Sequence, residues 1–335
     1  MTDLMPAVAY RRPLPISDPA SLEDVELPVP TPGPRDLLVR VEAVSVNPVD
    51  TKVRTGQDPG GEPRVLGYDA AGVVVATGER VTLFEPGDEV YYAGSIARPG
   101  TDARFHAVDE RIVGHKPRTL SFAEAAALPL TTITAWETLF DRFGLGVHST
   151  GTLLVLGGAG GVGSMVVQLA RALTGVTVIA TASRPESTQW ARDMGAHEVI
   201  DHHDLVGAVR EAAPDGVDFV FSPHTGGAVE SFAEILRPGG QITAIDEPEG
   251  LDLLPLKAKS ITFHWEFMFT RPIFQPDDMI AQHDLLERVR ELVDRGAIRT
   301  TLTRCLEPFD AATLRRAHEM VESGRMVGKV VVAGF

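Results

Sequence analysis

Apolar and polar positions change rhythm twice along the chain. From Val8 to about Phe105, short apolar runs are separated by Pro and Gly, and Leu37 to Val46 alternates as a half-buried strand does. Val73–Ala76 and Val81–Phe84 continue the β-rich pattern, and Gly87-Asp88 reads as a hairpin-type turn entering Glu89–Tyr92. This front segment predicts a compact β-rich domain with partial barrel closure. After Leu120 the spacing becomes helical. Ser121 with Glu124 three residues on fits a capping box, and the Ala-rich helix that follows is interrupted at Pro129. Strand and helix patterns then alternate. Strands are expected at Thr152–Leu156, Thr177–Thr181, Glu198–Ile200, Val217–Ser222 and Gln241–Asp246, with helices after Gly163, over Glu186–Met194, around Leu205–Ala213 and over Gly227–Leu236. That rhythm predicts a parallel sheet covered by helices on both faces. Beyond Ile261 it fades. The stretch FHWEFMFTRPIFQPDD is too irregular for a central strand, Met279–Arg295 is an amphipathic helix, and helix Ala311–Ser323 and strand Lys329–Ala333 close the chain. The simplest topology returns the C-terminal piece to the first domain. Residues 1–124 and 265–335 then form one domain, and 125–264 form a doubly wound α/β domain inserted in it.

The most informative stretch is TLLVLGGAGGVGSMVVQLA, Thr152 to Ala170. Here a buried strand breaks into Gly158, Gly160 and Gly163, spaced G-x-G-x-x-G, and resumes as a helix. The first glycine is expected to make the tight turn, the second to let the backbone approach a diphosphate, and the third to let helix and strand pack closely. Unpaired N–H groups at the helix start favour an anion there. Right-handed crossovers place the turn at the C-terminal edge of the sheet. Residues Gly158, Ala159, Gly160, Gly161, Val162 and Gly163 are therefore the expected dinucleotide cradle.

Composition narrows the classes. A length of 335 residues suggests two domains. Lys plus Arg number 31 against 46 Asp plus Glu, a net charge of −15 that disfavours nucleic acid as a partner. Cys305 is the only cysteine, which excludes an intrachain disulfide and a cysteine-based zinc cluster. No apolar signal core or membrane-length run occurs, so a cytoplasmic location is expected. An acidic residue about 20 positions after the glycine turn would bind a ribose 2′-hydroxyl, but Thr181-Ala182-Ser183-Arg184 stands there instead. Arg184 with Ser183 suits a 2′-phosphate, and NADPH is the expected cofactor.

Taken in order, several motifs resemble the medium-chain dehydrogenase/reductase superfamily, and more narrowly its zinc-independent quinone oxidoreductase branch, the group often labelled zinc-type alcohol dehydrogenase-like proteins. They are Asn47-Pro48-Val49-Asp50 with Lys52, Gly67-Tyr68-Asp69-Ala70-Ala71-Gly72, Pro86-Gly87-Asp88-Glu89-Val90, Ala125 to Pro129, Gly158 to Gly163, Gly195-Ala196 and Gly328-Lys329-Val330-Val331. The resemblance implies a Rossmann domain inserted in a GroES-like catalytic domain, and a homodimer. It also implies that Thr131, Ser222, His224 and Lys329 lie near the cofactor. Where zinc-dependent members carry a cysteine ligand this chain has Val46-Asn47-Pro48, and where they have Gly-His-Glu it has Gly67-Tyr68-Asp69. Catalytic zinc usually needs three protein ligands. Among the histidines only His202-His203 are suitably close, and adjacent side chains on a strand or loop are expected to point apart. No metal is expected.

Without a metal, reduction of an electron-poor double bond asks less of the protein than alcohol oxidation does. Hydride addition leaves an enolate or phenolate that needs hydrogen-bond donors. The expected function is NADPH-dependent reduction of a quinone or an α,β-unsaturated carbonyl. The candidate catalytic residues are Tyr68, Asn47, Asp50 and Lys52. Tyr68 reads as a donor to substrate oxygen or as an aromatic plug in the vacated metal position. Asp50 reads as a carboxylate orienting the loop, and Lys52 as its partner or a cofactor contact. His264, Trp265, Phe267 and Phe269 read as a wall of the substrate cleft or as core. A redox-sensing NADPH-binding protein and a zinc alcohol dehydrogenase with atypical ligands are the alternatives.

Overall fold

The computed structural model describes residues 3–335. The chain divides into two compact units, the first made of residues up to Leu130 together with Phe269–Phe335 and the second of Thr131–Met268. In the first unit, β1 (Leu4–Tyr10), β2 (Glu23–Pro28), β3 (Asp36–Ser45), α1 (Pro48–Gly56), β4 (Arg64–Val65), β5 (Ala70–Thr77), β6 (Glu89–Tyr92), β7 (Phe105–Asp109), β8 (Val113–His115) and α2 (Phe122–Ala126) follow in order. The long strand β3 organises this part. Along one side it pairs antiparallel with β5, and along the other with β7 near Asp36–Arg40.

Two details depart from the sequence reading. Asn47-Pro48-Val49-Asp50 opens a helix rather than a loop between strands. Pro48 takes its first turn, where no N–H partner is needed, and Asp50 Oδ2 accepts from the Asn47 N–H at 2.6 Å. Val81–Phe84 is not a strand, because the Thr82 and Leu83 N–H groups donate to the buried Glu110 carboxylate at 2.8 and 2.9 Å instead of to a neighbouring strand.

Helix α3 (Pro129–Trp136) starts at the proline that ends α2, and then comes the parallel sheet: β9 (Thr152–Val155), α4 (Gly161–Leu173), β10 (Thr177–Thr181), α5 (Pro185–Asp193), β11 (Glu198–Ile200), α6 (Leu205–Ala212), β12 (Val217–Ser222), α7 (Val229–Ile235), β13 (Leu236–Ala244) and β14 (Thr262–Trp265). The strand order is β11-β10-β9-β12-β13-β14, every pair parallel. This is the doubly wound Rossmann order. The stretch expected to be irregular thus contributes β14. It is an edge strand, paired only with β13, so it needs no apolar run on both faces. The core between sheet and helices is built from Leu154, Ile179, Val220, Phe232, Ile242 and their neighbours.

The chain then returns to the first unit with α8 (Thr270–Phe274), α9 (Ala281–Asp294), β15 (Leu302–Leu306), α10 (Ala311–Glu322) and β16 (Lys329–Ala333). β16 pairs antiparallel with the Ala43–Ser45 end of β3, so the last strand lies beside the residues that lead into Asn47. No helix among the described residues is long and apolar enough to cross a membrane.

Candidate functional site

In the first unit, the ends of β3, β16 and the Gly67–Asp69 turn bring six polar side chains together: Asn47, Asp50, Tyr68, Asp69, Asp102 and Lys329. All are at least 96% buried. Asn47 leaves β3 as the N-cap of α1, its Nδ2 donating to Asp69 Oδ2 at 2.9 Å and to the Ser45 carbonyl at 3.3 Å. The Lys329 ammonium enters from the first position of β16. It donates to the Val46 carbonyl at 3.1 Å and to Asn47 Oδ1, and lies 3.3 Å from Asp69 Oδ2. Asp69 also accepts from the Leu130 N–H at 2.8 Å. Asp50 accepts from two backbone N–H groups, those of Asn47 and, at 3.1 Å, Gly67.

Burial dominates the electrostatics. It pushes the Asp50 carboxyl up to about 7, against the opposing pull of the two N–H donors and of Lys329. It pushes Asp69 up to about 6, with Lys329 the strongest opposing influence. Asp102 is raised well above the carboxylate range, by burial and then by the like charge of Asp50. Lys329 is shifted down by burial although Asp69 and Asp50 oppose this. The Tyr68 phenol is pushed well up, by burial first and then by Asp50. No hydrogen bond of normal geometry reaches its hydroxyl, although Arg64 is near enough to oppose the shift, and its ring meets Phe269 edge-on at 5.5 Å.

The expected residues therefore separate. Asn47, Asp50 and Tyr68 meet, as the sequence suggests, but both donors of the Asn47 amide are committed within the protein. Lys52 is exposed on α1, and the lysine at the carboxylates is Lys329, placed in this cluster by its own ammonium contacts. Asp69 and Asp102 were not among the candidates. Asp69 stands inside a quoted motif, at the position of the Glu in zinc-dependent members, so its burial had a signal. Asp102 lies in a loop without one.

In the second unit the glycine turn joins β9 to α4. The left-handed residue is Gly157, at φ +64°, so the tight turn falls one position before the glycine expected to make it. Gly158 instead permits contact with β10, since a Cβ there would lie 2.6 Å from the Ala180 Cβ. Gly163 packs against the turn itself; its Cβ would sit 3.0 Å from Gly158 Cα and nearer still to the Gly157 carbonyl oxygen. Gly160 is the N-cap and supplies no side-chain acceptor, so the first-turn N–H groups of α4 are not capped by a side chain. That is a fitting cradle for a diphosphate. Gly157 N–H donates to Thr181 Oγ1 at 3.0 Å and Gly158 N–H to the Thr181 carbonyl at 3.1 Å, which ties the end of β10 to the turn. Ser183, exposed, and Arg184, half-buried, follow immediately and lead into α5.

Other expected cofactor residues are placed as follows. Thr131 is buried inside α3, in the first turn that Pro129 opens. Ser222 is buried at the end of β12, where its hydroxyl accepts from the His224 N–H at 3.3 Å and from Thr225 Oγ1 at 3.1 Å; His224 is exposed. His264 is half-buried, 2.9 Å from Gln241 Oε1, while Trp265 and Phe267 are exposed. His202 and His203 do not point apart. They follow β11 in a loop, outside strand alternation, and their rings stack at 4.5 Å. With Asp201 they form the one group of three His, Cys, Asp or Glu ligand atoms close enough for a metal among the described residues, and all three are exposed.

Comparison with known proteins agrees with the fold. The alcohol dehydrogenase GroES-like domain family matches residues 33–136, and the zinc-binding dehydrogenase family matches residues 194–332. A zinc-type alcohol dehydrogenase-like protein of Staphylococcus aureus is 42% identical, covering 98% of this chain and 99% of its own length. The 2-methylene-furan-3-one reductase of Solanum lycopersicum is 32% identical over 88% of this chain and 71% of its own. A crystal structure from Rhizobium etli, of a protein put forward as a zinc-dependent alcohol dehydrogenase, superposes with a TM-score of 0.96 at 53% identity, covering 100% and 99% of the two chains. The chain belongs to the medium-chain dehydrogenase/reductase superfamily. As a member it is an oxidoreductase with a GroES-like domain and a Rossmann sheet. At the Asn47 and Tyr68 positions this chain presents an amide and a phenol.

Proposed function

We propose that this protein is a zinc-independent, NADPH-dependent reductase of quinones or α,β-unsaturated carbonyls. The observation that carries the reading is the Tyr68 hydroxyl, buried and unpartnered at the position where zinc-dependent members have a histidine ligand. An orphaned buried hydroxyl costs about 1–3 kcal/mol, a cost that calls for an explanation in function. A developing oxyanion is an acceptor that would satisfy it.

Zinc independence is supported by what the neighbouring groups already do. The Asn47 amide is held by Asp69, Ser45 and Lys329, and the Lys329 ammonium supplies the positive charge among the carboxylates. A second cation there would meet the first. For the cofactor, the uncapped start of α4 suits the diphosphate, and Ser183 with Arg184 suits a 2′-phosphate. The bound nicotinamide supplies hydride to the electron-poor carbon. Tyr68 donates its hydrogen bond to the oxygen that gains charge, and Asn47, Asp50 and Lys329 fix the turn that carries Tyr68. The 2-methylene-furan-3-one reductase among the relatives acts, by its name, on an enone, which favours the same acceptor class.

Tyr68→Phe tests this. With NADPH and a panel of quinones and enones, followed at the nicotinamide absorbance, kcat should fall by about 10²–10³. The variant should be as stable as the parent or more stable, since it loses an unsatisfied hydroxyl. Undiminished turnover in the variant would remove Tyr68 from the chemistry.

A further inference from the structure

NADPH presents two anionic groups, a diphosphate and a 2′-phosphate, joined through one ribose. Their separation is set by the ligand, so a protein that binds both must hold its two subsites at the matching distance. In the second unit these subsites stand on different elements. The diphosphate cradle is the start of α4, whereas Ser183 and Arg184 lie between β10 and α5. The Ser183-Arg184 segment is fastened to the cradle at both of its ends.

On the β10 side the fastening is Thr181, which accepts from the Gly157 N–H at its hydroxyl and from the Gly158 N–H at its carbonyl. On the α5 side it is Trp190. The indole Nε1–H donates to Ser164 Oγ at 2.8 Å, and that hydroxyl donates in turn to the Gly160 carbonyl at 2.7 Å. Gly160 is the N-cap of α4. An indole N–H can only donate, and a hydroxyl has a single proton. Because the Ser164 proton is committed to Gly160, a lone pair is left for Trp190. Ser164 is fully buried and Trp190 half-buried.

The same helix carries this fastening to Arg184. The Arg184 N–H donates to Ser187 Oγ at 3.2 Å, and the Ser187 hydroxyl donates to the Arg184 carbonyl at 2.9 Å, which joins Arg184 to the first turn of α5. Trp190 lies less than two turns further along. A shift of α5 against α4 therefore moves Arg184 against the cradle.

We propose that the Trp190–Ser164 hydrogen bond determines cofactor specificity, with Trp190 a positioning residue that holds Arg184 at the spacing NADPH requires. The inference rests on the reading of Ser183 and Arg184 as the 2′-phosphate subsite. NADH carries the diphosphate but no 2′-phosphate, so it uses the cradle and is indifferent to this spacing.

The test is calorimetric titration of NADPH and of NADH into the parent, Trp190→Phe, Ser164→Ala and the double variant. Trp190→Phe removes the donor and keeps an aromatic ring. Ser164→Ala removes the acceptor and keeps the backbone bond from residue 164 to Gly160, 2.9 Å in the parent. Each single variant should raise the Kd for NADPH roughly three- to tenfold, as expected for one hydrogen bond, and leave that for NADH unchanged. The double variant should bind NADPH no more weakly than the weaker single, since both changes remove the same bond. Equal losses for the two cofactors would reduce the bond to general support of the domain and overturn the proposal. Losses that add in the double variant, or an unchanged Kd for NADPH, would overturn it too. A parent that binds NADPH no more tightly than NADH removes the 2′-phosphate subsite and this inference with it. A parent that prefers NADPH, with variants that keep the full preference, defeats the inference alone.

Discussion

Replacing Lys329 by methionine removes the one cation among three buried carboxyls while preserving side-chain length, and its effect should depend steeply on pH. Burial raises Asp69 from 3.8 to about 6 and Asp50 from 3.8 to about 7, with Lys329 opposing both shifts. An acid whose folded pKa is raised adds stability below its unfolded pKa, and loses it as pH climbs towards the folded value. At pH 8 the parent has lost about 3 kcal/mol through Asp69 and about 4 through Asp50. Without the ammonium both acids rise further, but the loss from each is capped once its pKa passes the ambient pH. At pH 8 the room left below that cap is about 3 kcal/mol for Asp69 and about 1 for Asp50, so Lys329→Met should destabilise by up to about 4 kcal/mol. At pH 5 both acids are already protonated in the parent and no further loss is available. There the burial penalty of the ammonium, visible in its lowered pKa, is relieved, and the variant should match the parent or exceed it. The assay is built into the sequence. All four tyrosines (Tyr10, Tyr68, Tyr91, Tyr92) lie in the first unit and all three tryptophans (Trp136, Trp190, Trp265) in the second. Tyrosine near-ultraviolet dichroism in a urea titration should therefore shift at pH 8 while tryptophan fluorescence does not. A destabilisation of equal size at pH 5 and pH 8 would refute the coupling between Lys329 and the two acids.

Three further outcomes are expected. Arg184→Ala should raise the KM for NADPH by roughly ten- to a hundredfold and leave that for NADH nearly unchanged; an equal rise for both would remove the 2′-phosphate contact. Gly163→Ala should abolish NADPH binding in a fluorescence titration while tyrosine dichroism of the first unit is unchanged, because its Cβ would overlap the Gly157 carbonyl and open the turn; wild-type affinity in the variant would contradict the packing role. His318 is fully buried with both ring nitrogens unpartnered, and burial first, then the Arg54 charge, lowers it to about 3. A base with a depressed folded pKa loses stability as pH falls below its unfolded value, here by about 2 kcal/mol between pH 7 and pH 5. His318→Leu should abolish that acid sensitivity in urea titrations, and a pH dependence identical to the parent's would count against it.

Features set by local spacing were legible in the sequence. The βαβ alternation from Thr152 to Ala244, the capping box at Ser121 and Glu124, and the amphipathic helix ending near Arg295 each follow from residues within a few positions of one another. The errors have local causes too. A G-G-x-G run holds several registers for a positive φ, and the chain places it at Gly157 because Gly158 is needed for contact with Ala180. The stretch from Phe263, read as too irregular for a central strand, does contribute to Thr262–Trp265, but at the sheet edge, which tolerates side chains that a central strand would not. Helix Pro48–Gly56 was obscured by its low apolar content, though Asn47, Pro48 and Asp50 stand at the cap, first and third positions that open helices.

The site was half legible for a different reason. Asn47 and Tyr68 could be nominated because each replaces a metal ligand in a recognisable motif, but what they touch is decided by residues far along the chain. Lys329 lies 282 positions from Asn47 and reaches it only because β16 pairs with β3. Sequence spacing contains no record of that meeting, nor of Asp102 closing on Gly67 from its own loop. The composition of the cluster also argues about its purpose. Buried ionic groups are often replaceable by apolar residues of similar volume without loss of stability, whereas removing one partner is strongly destabilising. Three acids, one ammonium and the orphaned hydroxyls of Tyr68 and Thr101 are therefore poor material for a plug in a vacated metal position, which leucine and phenylalanine would fill at less cost. A role as plug alone would leave the Tyr68 hydroxyl unexplained. A role in holding that hydroxyl for an incoming oxyanion accounts for both the hydroxyl and the charges fixed around its turn.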